Sequence, residues 1–95
     1  MTVSEAPERR EVYYRGRVQG VGFRYTTRSV AQRFEVTGFV KNLPDGRVQL
    51  VAEGAPAELE RFLGAVEDHL GRYVADAQQH SSAATGEFSG FEIRF

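Results

Sequence analysis

The stretch GRVQGVGFR, Gly16 to Arg24, joins two segments of different periodicity. Upstream, Arg10 to Val18 alternates as a strand does, with Val12, Tyr14, Gly16 and Val18 on one side and Tyr13, Arg15 and Arg17 on the other. Downstream, Phe23 to Phe34 has apolar side chains at 23, 30, 31 and 34, with Thr27 bridging the gap, which is one stripe of a helix. Arg24, Arg28 and Gln32 share another face of that helix. The three glycines between the two segments therefore mark a strand-to-helix turn. Such a turn binds anions, because N–H groups at a helix start lack intrahelical partners and glycines let them converge without a Cβ in the way. Arg24 falls in the first helical turn, and its planar fork suits two phosphate oxygens.

Working outward, Thr37 to Leu43 reads as a second strand, and Pro44-Asp45-Gly46 behind it is a turn in which proline fixes φ and glycine supplies a positive one. Arg47 to Glu53 alternates, with Val48, Leu50 and Ala52 opposed to Arg47, Gln49, Val51 and Glu53, so the two strands form a hairpin. The buried face of the second strand stays open, because Phe39 and Leu43 share a side with Lys41 while Val40 shares one with Asn42. Gly54 and Pro56 open a second helix with a stripe of Leu59, Phe62, Leu63, Val66 and Leu70, and Gly71 is placed to end it as a C′ residue. Tyr73 to Gln79 is a weaker strand, Ser81 to Gly86 a loop, and Phe88 to Phe95 a short last strand.

The order is β-α-β-β-α-β with a small extra C-terminal strand. It predicts an α+β, ferredoxin-like sandwich with two helices on one face of an antiparallel sheet. Right-handed crossovers then make the first two strands parallel, with the third between them, so their C-terminal ends share one sheet edge. The glycine turn and Asn42 should lie about 10 Å apart, two inter-strand spacings, with Arg24 long enough to bridge much of the gap.

Composition narrows the function. The chain has 95 residues, no cysteine and a formal net charge of −1, which excludes disulfide, thiol-nucleophile and Cys-based metal chemistry. Arginines 9, 10, 15, 17, 24, 28 and 33 face only Glu11 in that span, whereas residues 53 to 92 are acidic, so positive potential gathers on the first strand-helix unit. No carboxylate pair, Ser-His-Asp arrangement or metal-ligand cluster accompanies the turn, and His69 and His80 read as surface histidines. No GxGxxG begins at Gly20, because Tyr25 occupies the last place, and no GK[ST] follows. Residues 1–8 form a polar, flexible N-terminal extension with no signal-peptide core, and 9–95 form one domain. A cytoplasmic monomer without a membrane partner is expected.

With those residues in place, GRVQGVGFR, TGFVKN and LPDGRVQLVAEG closely resemble the acylphosphatase family, and the likeness runs through helix two to the closing FSGFEIRF. The resemblance implies the ferredoxin-like fold and metal-free hydrolysis of a small-molecule acyl phosphate to a carboxylate and inorganic phosphate, with no cofactor. By that resemblance Arg24 is the phosphate-binding arginine and Asn42 orients the attacking water. Arg17, Val18, Gln19, Gly20, Val21 and Gly22 would form the phosphate cradle. The match weakens between Gly71 and Glu87, where many members carry a proline and a basic cluster and this chain has only Arg72 followed by Tyr73 and Ala75.

Two other readings use the same residues. A ferredoxin-like sheet also serves RNA-binding modules, and Tyr13, Phe39 and the arginines would supply stacking and phosphate contacts. Against it, TGFVKN matches only a fragment of the RNP1 pattern and the net charge is slightly acidic, so no nucleic-acid partner is expected. The other is a non-catalytic domain of the same family that binds carbamoyl phosphate, as found joined to larger maturation enzymes.

Overall fold

The computed structural model describes residues 6–95. Its central strand is the cleanly alternating segment of the sequence, β3 (Val48–Gly54), which puts Val48, Leu50 and Ala52 into the core. On one side of it lies β1 (Glu8–Gly16) and on the other β2 (Thr37–Asn42), both antiparallel to it. The outer strands are β4 (Val74–Ala83) beside β1 and β5 (Phe91–Arg94) beside β2, giving the order β4-β1-β3-β2-β5. β5 runs parallel to β2, so the sheet is mixed where a purely antiparallel one was expected. The fold is otherwise the ferredoxin-like α+β arrangement.

Two helices, α1 (Phe23–Ala31) and α2 (Pro56–Leu70), cover one face. α1 buries Phe23, Thr27, Val30 and Ala31, and α2 buries Leu59, Phe62, Val66 and Leu70, which are the stripes the 3.6-residue period prescribes. Phe62 ties the layers together, its ring 6.0 Å from Phe34 and 5.6 Å from Phe91. β2 turns Gly38 and Val40 inward, which settles its face, and Gly38 is required there. At φ 144° an added Cβ would lie 1.9 Å from the Val51 carbonyl oxygen.

Several boundaries differ from the expected ones for identifiable reasons. β1 ends at Gly16, where a bulge breaks its register with β4, so Val18 belongs to the turn while its side chain stays fully buried. α1 ends at Ala31 because Gln32, Arg33 and Phe34 donate to the carbonyls of Ser29, Val30 and Ala31, a tightened three-residue turn. Gly71 ends α2 in a right-handed conformation (φ −57°) and opens a 3₁₀ turn, Gly71–Tyr73, in place of a left-handed C′ cap. The expected loop from Ser81 begins later, since β4 runs to Ala83, and the last strand is shortened to four residues. Residues 1–5 of the expected extension lie outside the described residues, and Glu8 pairs with Gly54 and Ala83 at the start of β1.

The face of the sheet away from the helices is not bare. Val51 and Glu53 are buried on it, because residues 84–90 cross it from β4 to β5. Phe88 lies on Phe39 with ring centroids 5.9 Å apart, and the Arg9 and Arg94 guanidinium carbons stand 5.3 and 5.8 Å from its ring.

Candidate active site

The register fixes the geometry of the upper sheet edge. Tyr14 and Asn42 both pair with Val48, so the last turns of β1 and β2 stand level on either side of β3, about two strand spacings or 10 Å apart. The glycine turn rises from β1 at this level and enters α1. Gly20 (φ 80°) and Gly22 (φ 77°) are left-handed, a conformation that side chains disfavour, and Gly22 is the residue preceding the helix. No side chain caps that helix start and no acidic residue sits in its first turn. Among the described residues, the N–H groups of Val18 to Gly22 meet no acceptor. Unpaired donors therefore lie next to the positive end of α1.

That space is a concavity of about 260 Å³ lined by Val18, Gly20, Gly22, Phe23, Arg24, Tyr25 and Asn42. Arg24 is held from outside it: Nη1 donates to the Arg94 carbonyl at 3.2 Å, and the guanidinium carbon lies 4.7 Å above the Phe95 ring. Asn42 takes no part in the neighbouring hairpin turn. The bonds there are Leu43 N–H to the Arg47 carbonyl, Gly46 N–H to the Leu43 carbonyl and Arg47 N–H to the Asp45 carboxylate. Its Oδ1 is buried without a partner, an uncompensated cost in the fold. A half-turn of the amide exchanges Oδ1 and Nδ2, so it can present an acceptor or a donor to the concavity.

The structure thus brings Val18, Gly20, Gly22, Arg24 and Asn42 together and leaves three predicted residues outside the lining. The Arg17 N–H is used by the Tyr73 carbonyl at 2.9 Å. Val21 packs partly buried against the core. Gln19 turns its side chain to the hairpin, with Nε2 donating to the carbonyls of Leu43 at 2.8 Å and Arg47 at 3.0 Å, so it braces the turn against the strand end that carries Asn42. Phe23 and Tyr25 were missed as lining residues; Tyr25, an exposed aromatic in the first turn of α1, was the available signal. Larger depressions lie beside α2 and β4, between the helices and near Pro7 at the other end of the sheet, and none of them is lined by the glycine turn or Asn42. His69 meets Arg33 and His80 meets the Tyr13 ring, away from the site.

A ferredoxin-like domain with unpaired N–H groups, an arginine and a free amide at one sheet edge has the donors an anion needs, and comparison with known proteins gives it a family. Residues 10–93 match the family model described as acylphosphatase, and the chain belongs to the acylphosphatase family. It is 54% identical over 95 residues to an acylphosphatase of Mycobacterium sp. (strain JLS), covering 97% of this chain and 100% of that one. An acylphosphatase of Archaeoglobus fulgidus is 41% identical over 85 residues, 90% of this chain and 96% of the other. The crystal structure of acylphosphatase from Bacillus subtilis superimposes with a TM-score of 0.83 at 33% identity, covering 93% of this chain and 99% of that one.

Proposed function

We propose that the concavity between the glycine turn and Asn42 is where this chain carries out acylphosphatase chemistry, the hydrolase function that its family and structural neighbours support. The observation that carries the reading is one small space lined by Val18, Gly20, Gly22, Arg24 and Asn42, beside a turn whose N–H groups from 18 to 22 meet no acceptor and an Asn42 Oδ1 without a partner. In it Val18, Gln19, Gly20, Val21 and Gly22 offer backbone donors to the phosphoryl oxygens, and Arg17 adds its charge through its side chain.

An acyl phosphate is a mixed anhydride whose leaving group is a stabilised carboxylate, so little acid catalysis is needed to expel it. Positioning and charge remain. In-line transfer spreads negative charge over the equatorial oxygens, which fixed N–H groups and Arg24 hold without reorganising. Asn42 accepts a hydrogen bond from water and aims its oxygen at phosphorus, the phosphorus–oxygen bond to the acyl group breaks, and the carboxylate leaves with the bond electrons. An amide is too weak a base to take the water proton, which passes to a phosphoryl oxygen of the substrate. No metal or cofactor enters this scheme.

The same reading takes residues 9–95 as one cytoplasmic, monomeric domain acting on a small molecule, with no nucleic acid or membrane as partner. No helix of the described residues is long and apolar enough to cross a membrane. Hydrolysis of benzoyl phosphate in heavy-oxygen water, with chelator present, tests the scheme. Attack at phosphorus puts the label in orthophosphate; label in benzoate contradicts it.

A further inference from the structure

Glu53 stands at the opposite end of the sheet from the concavity, one residue before the end of β3, and is 4% exposed. Its carboxylate is the centre of a tight cluster. Oε2 accepts from Arg9 Nε at 2.9 Å, Thr85 N–H at 3.0 Å and the Thr85 hydroxyl at 2.9 Å, while Oε1 accepts from Gly86 N–H at 3.0 Å. A buried carboxylate with this many donors fixes the backbone that supplies them. The backbone fixed here is the beginning of the segment that crosses the open sheet face.

From that anchor a continuous path leads to the concavity. Arg9, bonded to Glu53, also reaches the Glu87 carboxylate at 2.8 Å and covers Phe88. Phe88 packs on Phe39, and Arg94 closes over Phe39 with its guanidinium carbon 4.0 Å from the ring centroid. The Gly90 carbonyl accepts from Gly38 N–H at 2.9 Å, which starts β5 in register. β5 then pairs with β2 from Gly38↔Phe91 to Lys41↔Arg94, ending beside Asn42. There the Arg94 carbonyl accepts from Arg24 Nη1.

β5 has only four residues and pairs with β2 alone; Phe91 and Ile93 pack on the core at its start and middle, and the Arg94 end beside Asn42 has no second strand to hold it. A slip of one residue would move the Arg94 carbonyl by about 3.3 Å, and a hydrogen bond tolerates only a few tenths of an ångström. We propose that Glu53 is a positioning residue for Arg24, acting through the 84–90 crossing segment and β5. The proposal rests on the reading of Arg24 as a phosphate ligand. Loosening the anchor leaves the cradle intact and lets the guanidinium wander.

The test uses inorganic phosphate as ligand and measures its Kd, together with amide hydrogen exchange of Phe91 to Arg94, in the wild type and in Glu53→Gln. Thr85→Val, a milder cut at the same anchor, stands in if Glu53→Gln does not fold. Leu59→Ala, which weakens the α2 packing away from this path, controls for general destabilisation. Expected are phosphate binding weakened by roughly 3- to 30-fold and faster exchange in β5 for the anchor variants, with near-wild-type affinity for Leu59→Ala. Wild-type affinity in the anchor variants, unchanged β5 exchange, or equal weakening by Leu59→Ala overturns the proposal. Arg24→Ala separates the two levels: if it binds phosphate as the wild type does, the reading of Arg24 fails, whatever Glu53 does.

Discussion

Acid should weaken this fold through Glu53 in a defined window. Burial pushes that carboxyl up. The N–H groups of Thr85 and Gly86, with Arg9 and the Thr85 hydroxyl, outweigh burial and hold its pKa down to about 2, against 4.5 for a free glutamate. The folded state therefore keeps Glu53 ionised where the unfolded chain has already bound a proton. Stability from this group is complete above about pH 4.5 and is lost as pH falls towards about 2. Between those two values, at about 1.36 kcal/mol per pH unit, the group contributes at most about 3 kcal/mol, a large share of a small domain's stability. Urea unfolding of the wild type and of Glu53→Gln at a series of pH values isolates the group from Asp45 and Glu58, whose pKa values are also lowered. The gap in unfolding free energy between the two proteins should be widest near about pH 7 and shrink by 2 to 3 kcal/mol, roughly, by about pH 2. A gap that stays constant over that range refutes the account of the anchor.

Three further predictions concern the turn, β2 and the brace between turn and hairpin. Gly22→Ala meets no atom within 4 Å and carries only the cost of a left-handed φ, about 1 to 2 kcal/mol, yet re-aims the cradle, so kcat/KM should fall at least about tenfold with the fold retained. Gly38→Ala forces a Cβ against the Val51 carbonyl, and chemical unfolding should show a loss of more than about 3 kcal/mol; equal stability in the two variants contradicts both assignments. Removing the bridge from Gln19 to Leu43 and Arg47 by Gln19→Ala should cost about 1 kcal/mol of stability and roughly tenfold in kcat/KM, whereas full activity would show that the turn holds its shape unaided.

What the sequence disclosed and what it hid follow from periodicity and from distance. The strand-helix-hairpin order was legible because β1 and α1 each bury one face, which imposes a period on their residues, and because β3 alternates Val48, Leu50 and Ala52 with mostly polar neighbours although Val51 and Glu53 are buried as well. Asn42 could be placed level with the glycine turn because crossover handedness makes β1 and β2 parallel. β4 was misjudged in length since nine of its ten residues are exposed, so no face is selected and no alternation is written. The crossing segment 84–90 was divided between a Ser81–Gly86 loop and a Phe88–Phe95 strand because its contacts, Glu53 to Thr85 and Phe39 to Phe88, join residues far apart in the chain. The brace from Gln19 and the seat of Arg24 on the Arg94 carbonyl are side-chain bonds to backbone, which any residue's carbonyl could have supplied.

The central claim is that the N–H cradle, Arg24 and Asn42 act together on one phosphoryl group. Its most direct test is the rate of benzoyl phosphate hydrolysis, with chelator present, by folded Arg24→Ala, Arg24→Lys and Asn42→Ala variants beside the wild type. Losing one transition-state donor costs about 10² to 10³ in rate, and Arg24 offers two charge-assisted bonds. Arg24→Ala should therefore lose at least that much, Arg24→Lys should not restore it because a point charge lacks the fork, and Asn42→Ala should lose kcat with phosphate affinity largely kept. A wild type without activity, or variants that hydrolyse the substrate as fast as the wild type, would contradict the account.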